Sequence, residues 1–354
     1  PALAIAREIL DHEPDAQIRY FGTARGIEAD LAARAGLPFT AIPARPLPTK
    51  PTPALLRAVL TYWKGKRACR SLMKSWRPDA VIGTGGYVCS PVVAAAASCR
   101  VPVLLHEQNA WPGRSNRLMA RRSQAVCVAF PGTEKHFPAG TRVKLTGNPV
   151  LPVFFSTDRQ AARKSLHPQS ERPFILAMGG SLGAQTINRA VLGLRPWIEQ
   201  QRVAGRPLPR LVLAAGKRQF AEVASAAAEC SDWLEVQAYI HGIHAYMSAA
   251  DLLICRAGAL TCSEIAALGI PSILVPYPYA AGDHQTYNAR VLADAGAALL
   301  CPDDQMTASW LADQLDQLLA DHDRLANMGR QAGTLARPDA AAAIYSQLMD
   351  IMKP

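Results

Sequence analysis

Hydrophobic runs of strand length alternate with longer amphipathic segments along most of the chain. In the first half these runs include DAVIGTGG, VPVLLHEQN and QAVCVAF, and in the second half they include PFILAMGG, LVLAAG, DLLICRAG and SILVPYP. Strands that alternate with helices in this way are typical of parallel, doubly wound sheets. The pattern therefore predicts an α/β protein with two domains, each built on such a sheet.

Prolines and a terminal helical pattern set the expected domain boundaries. The segment TGNPVLPVFF, near residues 147–155, predicts an extended linker. We therefore expect one domain at residues 1–150 and a second at residues 151–337. The last segment, residues 338–354, has a helical pattern, and we expect it to pack back onto the first domain.

Composition excludes several classes of protein. About half of the residues are apolar, as in a globular protein, and no apolar run is long enough to span a membrane, so any membrane contact would be peripheral. The cysteines form no C-x-x-C pair and lie mostly in apolar segments. This pattern speaks against a zinc site and against a disulfide framework, and it favours a reducing cytoplasm. We predict no metal site.

Positive charge is concentrated in the first half. Residues 1–150 carry 21 Lys and Arg against 9 Asp and Glu, so this half is expected to meet an anionic partner. Residues 50–76 predict a helix with an apolar, Trp-bearing side and a cationic side, which suits the surface of an anionic bilayer. An ordinary amphipathic helix packed on its own sheet remains an equal alternative. Nucleic acid is disfavoured, because no binding motif accompanies the charge.

Two glycine-rich turns predict anion sites. GGSLGA (179–184) follows the strand FILAM and opens a helix, so backbone N–H groups converge on one point. The spacing is not G-x-G-x-x-G, and the next strand ends without an acid, which disfavours a dehydrogenase. GTGGYVCSP (83–91) has the same layout in the basic domain. These turns predict two phosphorylated ligands, although glycines needed only for tight packing are an alternative.

Polar side chains follow other strands of the predicted sheets. HEQN (106–109) stands at the end of VPVLL, and GDHQTYNA (282–289) follows SILVPY, at the edge where open α/β sheets bind ligands. Glu264 is the one carboxylate in the apolar stretch 256–278. A helix beginning at Thr261 or Ser263 would place Glu264 in its first turn, where it either favours the helix dipole or accepts both hydroxyls of a ribose.

The motifs GGYVCSP, LLHEQN, TGNPV, MGGSLGAQTIN, CRAGALTCSEIAALGIPSILVPYP and DHQTYNA occur in this order, and together they resemble the MurG family of peptidoglycan glycosyltransferases. The resemblance covers essentially the whole chain. It implies a GT-B fold, with two Rossmann-like domains facing a cleft. It also implies an inverting transfer of N-acetylglucosamine (GlcNAc) from UDP-GlcNAc to the C4 hydroxyl of undecaprenyl-diphospho-N-acetylmuramoyl-pentapeptide, which converts lipid I into lipid II. No cofactor is implied, because UDP-GlcNAc is a substrate.

The resemblance also implies roles for individual residues of the second domain. Glu264 would accept the ribose hydroxyls, backbone at Ile240 would face the uracil, and Ser181 would hold the leaving diphosphate. Gln285 and His284 would read the GlcNAc hydroxyls. The remaining donor-site residues implied in this domain are Asn188, Ala259, Leu260 and Thr261.

On the acceptor side, the resemblance implies a lipid I site that includes the second glycine turn. Its residues would be Gly85, Gly86, Tyr87, His106, Glu107, Asn109 and Asn116. Asn109 would also reach the transferred sugar. The basic helix would rest on the cytoplasmic face of the bacterial inner membrane, beside the diphosphate of the lipid.

The sequence departs from the family pattern in two places. The family has a G-G-T-G-G-H loop before its P-x-L-A helix, and the His of that loop is the candidate base, whereas this sequence begins at Pro1. A polypeptide starting there is expected to bind UDP but to be inactive or badly impaired, with His106 and Glu107 as the substitute bases. Leu151 stands where the family often has an Arg near the nucleotide, which predicts a donor affinity weaker by about 1 kcal/mol.

Three other functions remain open from the residues. A GT-B enzyme acting on another lipid would share the donor site, although HEQN and GGYVCSP argue against it. A UDP-sugar-binding protein without catalysis fits the absent loop. A nucleic-acid-binding protein fits the charge alone and would require salt-dependent retention on DNA.

Overall fold

The structure of the protein is a computed structural model that describes residues 1–24, 28–46, 48, 53–166, 172–180 and 182–353. The chain forms two compact units, one of Pro1–Pro149 with Asp339–Pro354 and one of Val150–Pro338. Every strand pairing in both units is parallel. This confirms the predicted α/β class with parallel sheets.

The first unit contains a four-stranded sheet in the order β3-β4-β5-β6 and a separate pair, β1-β2. Its strands are β1 Tyr20–Gly22, β2 Phe39–Ala41, β3 Val81–Gly83, β4 Val103–Glu107, β5 Ala125–Val128 and β6 Val143–Leu145. Its helices are α1 Ala2–His12, α2 Glu28–Arg34, α3 Pro53–Trp76, α4 Gly86–Ser98, α5 Arg114–Met119 and, at the end of the chain, α16 Ala340–Met352.

One side of this sheet is covered by the last helix. Ile344, Leu348 and Ile351 of α16 pack with Ile5 of α1 and with Leu104 of β4 in one buried cluster. The spacing of these α16 residues puts them on a single helical face, so that face loses its contact with water on docking. The other side of the sheet packs against α4, whose Ala94, Ala95 and Ala96 are almost fully buried.

The second unit is built on a six-stranded sheet in the order β12-β11-β10-β7-β8-β9. Its strands are β7 Phe174–Met178, β8 Arg210–Ala214, β9 Leu234–Gln237, β10 Leu252–Cys255, β11 Ser272–Leu274 and β12 Ala298–Leu300. Its helices are α6 Val153–Ser156, α7 Arg159–Leu166, α8 Gln185–Leu192, α9 Arg195–Val203, α10 Phe220–Ala226, α11 Ile243–Ala249, α12 Ala259–Leu268, α13 His284–Asp294, α14 Ala308–Ala320 and α15 His322–Thr334.

The strand order of the second unit identifies its ligand edge. The chain runs outward from β7 to β9 and then returns to the middle of the sheet, where β10 pairs with β7. In open α/β sheets, ligands bind outside the carboxyl ends of the strands at such a switch point. The turns after β7 and β10 therefore flank the expected ligand position.

Local structure departs from the sequence interpretation at the linker and at short edge strands. The predicted linker is not extended throughout, because residues 153–156 form the short helix α6. The short edge strand β6 was not predicted, since its Lys144 and Leu145 are exposed and give no hydrophobic run. The basic helix begins at Pro53, and residues 50–52 lie outside the described residues. Over the described parts of the chain, the helices are too short or too polar to cross a membrane.

Candidate active site

The glycine turn after β7 is packed tightly against the turn after β8. A Cβ on Gly179 would lie 2.1 Å from the Ala184 nitrogen, and a Cβ on Gly183 would lie 2.0 Å from the Ala215 oxygen. Gly180 has a φ of +79° but faces open space. Close packing therefore explains two of these glycines, as the alternative interpretation predicts, and the third is needed for its backbone conformation.

The two turns are tied together by Asn188. Its side chain is 1% exposed, and its Nδ2 donates to the Ala215 oxygen at 3.0 Å and to Gln219 Oε1 at 3.0 Å. Asn188 therefore holds the turns from inside the protein instead of offering its amide to solvent. Ser181, the predicted diphosphate ligand, lies outside the described residues.

The helix that carries Glu264 begins earlier than predicted. Gly258 has an extended conformation and is the N-cap residue, with no side-chain cap, so α12 starts at Ala259 and Glu264 is its sixth residue. The expectation that Glu264 lies in the first turn is therefore wrong. Because the effect of the helix dipole on charges is confined to the first turn, the dipole does not explain this carboxylate.

The carboxylate of Glu264 has a solvent-poor environment and no partner. The side chain is half-buried, and burial raises its pKa to about 7. Across the described residues it takes part in no hydrogen bond and no ion pair. On the same helix, Leu260 is 37% exposed, and Ala259 and Thr261 are half-buried. A partly buried carboxylate without a protein partner is suited to accept hydrogen bonds from the hydroxyl groups of a ligand.

The first turn of α13 offers a second polar group on the same edge of the sheet. Gln285 Oε1 accepts a hydrogen bond from the Tyr277 backbone N–H at 2.9 Å, which fixes the orientation of its side-chain amide. His284 Nδ1 lies 2.8 Å from the Ala281 oxygen. Because a carbonyl only accepts, Nδ1 carries the proton, and in the neutral ring Nε2 is then an acceptor. Ile240, the predicted uracil contact, is 5% exposed.

In the first unit, a second glycine turn leads from β3 into α4. Gly85 and Gly86 have φ values of +87° and +75°, and Tyr87 is 41% exposed. A Cβ at Gly85 would lie 3.3 Å from Asn116 Nδ2. Asn116 is 1% exposed and donates to the His106 oxygen and to Glu107 Oε2, whereas its own Oδ1 has no hydrogen-bond partner within the described residues.

His106 and Glu107 are the last residues of β4 and are both buried. Glu107 accepts hydrogen bonds from the Asn109 backbone and side chain at Oε1, and from the Gly113 N–H and Asn116 at Oε2. His106 lies between the Gly147 oxygen and the Gln108 amide, and burial lowers its pKa to about 4. This geometry argues against either residue as a general base, because neither offers a free acceptor to a substrate. Both instead shape the loop that carries Asn109.

The basic helix α3 has two apolar strips. Cys69 and Met73 are buried in one cluster with residues of α4, and Ala58 is also buried, as the core alternative predicts. The second strip points outward, with Leu56 65%, Leu60 53% and Trp63 58% exposed. Exposed Lys and Arg residues border this strip at positions 64, 67, 70 and 74. The two interpretations of the sequence therefore apply to different strips of one helix.

Sequence reasoning missed a partly buried polar network beside the donor residues. Arg256, directly after β10, donates to the Val275 and Pro276 oxygens at 3.1 and 3.0 Å and forms an ion pair with Asp303. Asp303 also accepts a hydrogen bond from Thr186. Arg256 is visible in the CRAG motif, but a partner 47 positions away cannot be paired with it from one sequence.

Comparisons with known proteins agree with this geometry. The chain matches the glycosyltransferase family 28 N-terminal domain over residues 1–128 and the C-terminal domain of the same family over residues 174–344. The fold and the motifs therefore define a GT-B glycosyltransferase.

Relatives with assigned names cover nearly the whole chain. A Desulforudis audaxviator protein named UDP-N-acetylglucosamine–N-acetylmuramyl-(pentapeptide) pyrophosphoryl-undecaprenol N-acetylglucosamine transferase is 43% identical, over 97% of this chain and 92% of the relative. A protein of the same name from Acetivibrio thermocellus is 37% identical, over 100% and 95%. The chain belongs to this family, the MurG glycosyltransferases.

Solved structures share the fold. MurG from Acinetobacter baumannii is 32% identical, with a TM-score of 0.77 over 99% of this chain and 95% of that chain. A UDP-GlcNAc 2-epimerase from Neisseria meningitidis, solved with UDP-GlcNAc bound, has a TM-score of 0.67 over 98% and 95%, but it is only 13% identical. The similarity to the epimerase therefore concerns the fold alone.

Proposed function

We propose that this protein transfers GlcNAc from UDP-GlcNAc to the C4 hydroxyl of undecaprenyl-diphospho-N-acetylmuramoyl-pentapeptide, with inversion at the anomeric carbon. The reaction converts lipid I into lipid II in peptidoglycan synthesis, and through it the protein would serve cell-wall growth and division. The observation that carries the proposal is the carboxylate of Glu264 at the switch point of the second sheet, which has no hydrogen-bond or ion-pair partner among the described residues, in a chain that belongs to the MurG family.

On the donor side, Glu264 accepts the two ribose hydroxyls, and backbone amides at the start of α8 and in the glycine turn before it hold the diphosphate. Backbone N–H groups aimed at the diphosphate stabilise the negative charge that develops on it as the glycosidic bond breaks. Gln285, whose oxygen is already held by Tyr277, keeps its amide N–H groups for the sugar hydroxyls.

On the acceptor side, the turn at Gly85 and Gly86 and the exposed Tyr87 bind lipid I. The carboxylate of Glu107 and the buried Asn116 hold the Asn109 loop in position, and Asn116 lies directly beside Gly85 of that turn. We assign neither His106 nor Glu107 the role of base, since the hydrogen-bonding capacity of both is used inside the protein. The proposal includes no cofactor, because the sugar arrives already activated on UDP, and EDTA is expected to leave turnover unchanged.

We also propose that the outward strip of α3 rests on the cytoplasmic face of the inner membrane. Leu56, Leu60 and Trp63 would enter the interface between headgroups and acyl chains, and the neighbouring Lys and Arg side chains would meet anionic headgroups. A lipid substrate makes such a surface useful, since the sugar must be added beside the bilayer.

The test is turnover of UDP-GlcNAc by the intact protein with a soluble lipid I analogue, followed by UDP release. The expected product carries a β-linked GlcNAc, and an analogue lacking the C4 hydroxyl is expected to give none. UDP-GlcNAc binding without any transfer would instead favour a UDP-sugar-binding protein. Transfer to a diacylglycerol but not to the lipid I analogue would indicate a different lipid acceptor.

A further inference from the structure

Arg256 holds together two turns that border the donor site. Its guanidinium is 13% exposed and lies 5.7 Å from the centre of the Tyr277 ring. One nitrogen donates to the carbonyl oxygens of Val275 and Pro276, which directly follow β11. The side chain that follows β10 therefore fixes the backbone that follows β11.

The position of Arg256 is itself set by Asp303, in the turn that follows β12. Asp303 Oδ1 accepts from Arg256, and Asp303 Oδ2 accepts from the Thr186 hydroxyl at 3.0 Å. Thr186 lies in the first turn of α8, next to the 179–184 glycine turn. The carboxylate thus connects segments that follow β7, β10 and β12, and both of its oxygens are used.

The network ends at Gln285. The Tyr277 N–H, which directly follows the two carbonyls held by Arg256, donates to Gln285 Oε1 at 2.9 Å. The buried Asn288, one helical turn further on, donates to the Ala257 oxygen at 3.1 Å. The start of α13 is therefore attached to the Arg256 segment at two points, and the orientation of the Gln285 amide depends on where Tyr277 stands.

We propose that Asp303, acting through Arg256 and Tyr277, is a positioning residue that orients Gln285 toward the sugar of the donor and thereby sets the selectivity for GlcNAc. The inference rests on the proposed function and extends it to a residue that does not touch the substrate. A hydrogen bond contributes to selectivity only when its geometry is held, and a small displacement of an orienting group has a large effect on rate and binding.

The competing interpretation is that Arg256 and Asp303 form an ion pair that serves stability alone. The two interpretations differ in what they predict for the ligands. A purely structural pair would alter the free energy of unfolding and the amount of folded enzyme, with the KM of the folded fraction unchanged. A positioning pair would change recognition of UDP-GlcNAc but not of UDP, because UDP lacks the sugar that Gln285 contacts.

The experiment compares Asp303→Asn and Thr186→Val with Asp304→Asn in the intact protein. Asp304→Asn removes the same charge one residue away, from an exposed side chain. Thr186→Val removes only the hydroxyl that holds Asp303 and keeps the Arg256 ion pair. For each variant, KM and kcat are measured for UDP-GlcNAc and for UDP-N-acetylgalactosamine (UDP-GalNAc), which differs from it only in the configuration of the C4 hydroxyl, and the Kd of UDP is measured by calorimetry.

For Asp303→Asn we expect a rise in the KM for UDP-GlcNAc of about tenfold, with kcat and the Kd of UDP changed less than about twofold. The preference for UDP-GlcNAc over UDP-GalNAc should fall with it, and Thr186→Val should show a smaller change in the same direction. Equal KM values in Asp303→Asn and Asp304→Asn would overturn the inference, as would equal losses for UDP and UDP-GlcNAc. Should Asp303→Asn fail to fold, an unchanged KM in Thr186→Val would overturn it. A wild-type protein that shows neither turnover nor UDP binding would refute the proposed function, which is a separate outcome.

Discussion

Replacing Glu264 by Gln should stabilise the protein and weaken UDP binding at the same time. Burial raises the pKa of this carboxyl from 4.5 to about 7, so the folded state binds its proton more tightly than the unfolded state does. The carboxyl therefore costs no stability below about pH 4.5, and the cost grows as the pH rises to 7 and then stays constant. At 1.36 kcal/mol per pKa unit, the full cost is on the order of 3 kcal/mol. Glutamine has the same shape without the charge, so Glu264→Gln should raise the free energy of unfolding by this amount at pH 7 and above.

The effect on binding has the opposite sign. Hydrogen bonds to an ionised acceptor contribute about 1.5–3 kcal/mol, roughly twice as much as those between neutral groups. Glutamine also offers one acceptor oxygen where the carboxylate offers two. We expect UDP to bind about 30-fold more weakly, which corresponds to a loss of about 2 kcal/mol. Because the ribose hydroxyls favour the ionised carboxylate, wild-type affinity should fall below pH 7, by up to about tenfold per pH unit, whereas the affinity of Glu264→Gln should stay flat.

The assays are urea unfolding at pH 5 and pH 8 and calorimetric titration with UDP across the same range. The matched control is Glu222→Gln, which removes an exposed carboxylate from the same unit and should change neither quantity. A Glu264→Gln protein that is less stable than wild type at pH 8 would mean that the carboxylate has a favourable partner in the free protein. Undiminished UDP affinity would mean that the ribose does not meet Glu264.

Three further predictions concern other parts of the molecule. Asp251→Asn should lower the free energy of unfolding by about 2 kcal/mol in urea titration, because the carboxylate accepts hydrogen bonds from Arg159, Arg163 and the Phe174 N–H. The control Asp232→Asn breaks an exposed ion pair and should lower it by less than about 0.5 kcal/mol. A loss in both variants of equal size would refute this account. Trp63→Ser should weaken binding to anionic vesicles in flotation assays while leaving the KM for a soluble acceptor unchanged, and retention of full vesicle binding would place the membrane surface elsewhere. Leu151→Arg should tighten UDP binding by about 1 kcal/mol, and no gain in calorimetry would show that position 151 is remote from the nucleotide.

The alternation of hydrophobic and amphipathic segments was sufficient to predict the α/β class and the parallel sheets. Strands that the chain buries on both faces appear as continuous apolar runs, such as FILA in β7 and LLIC in β10, and one of the two glycine turns follows the first of these runs. The first and last residues of individual helices were predicted less well than the helices themselves. With Gly258 as its N-cap, α12 begins at Ala259, two residues before Thr261, and this shift moved Glu264 out of the first turn.

The sequence by itself determined which residue types stand at the strand ends and therefore where chemistry is expected, at Glu264, Gln285 and the two glycine turns. Only the tertiary structure decided which of the polar groups at the strand ends are free to bind a ligand. His106 and Glu107 have the residue types of a base, but the fold buries them and uses their hydrogen bonds inside the protein. Likewise, the contact between Arg256 and Asp303 exists because parallel strands bring their carboxyl ends to one edge of the sheet, whatever their separation in the chain. Residue type is a local property, whereas burial and partnership depend on contacts between distant segments, and these arise only when the chain folds.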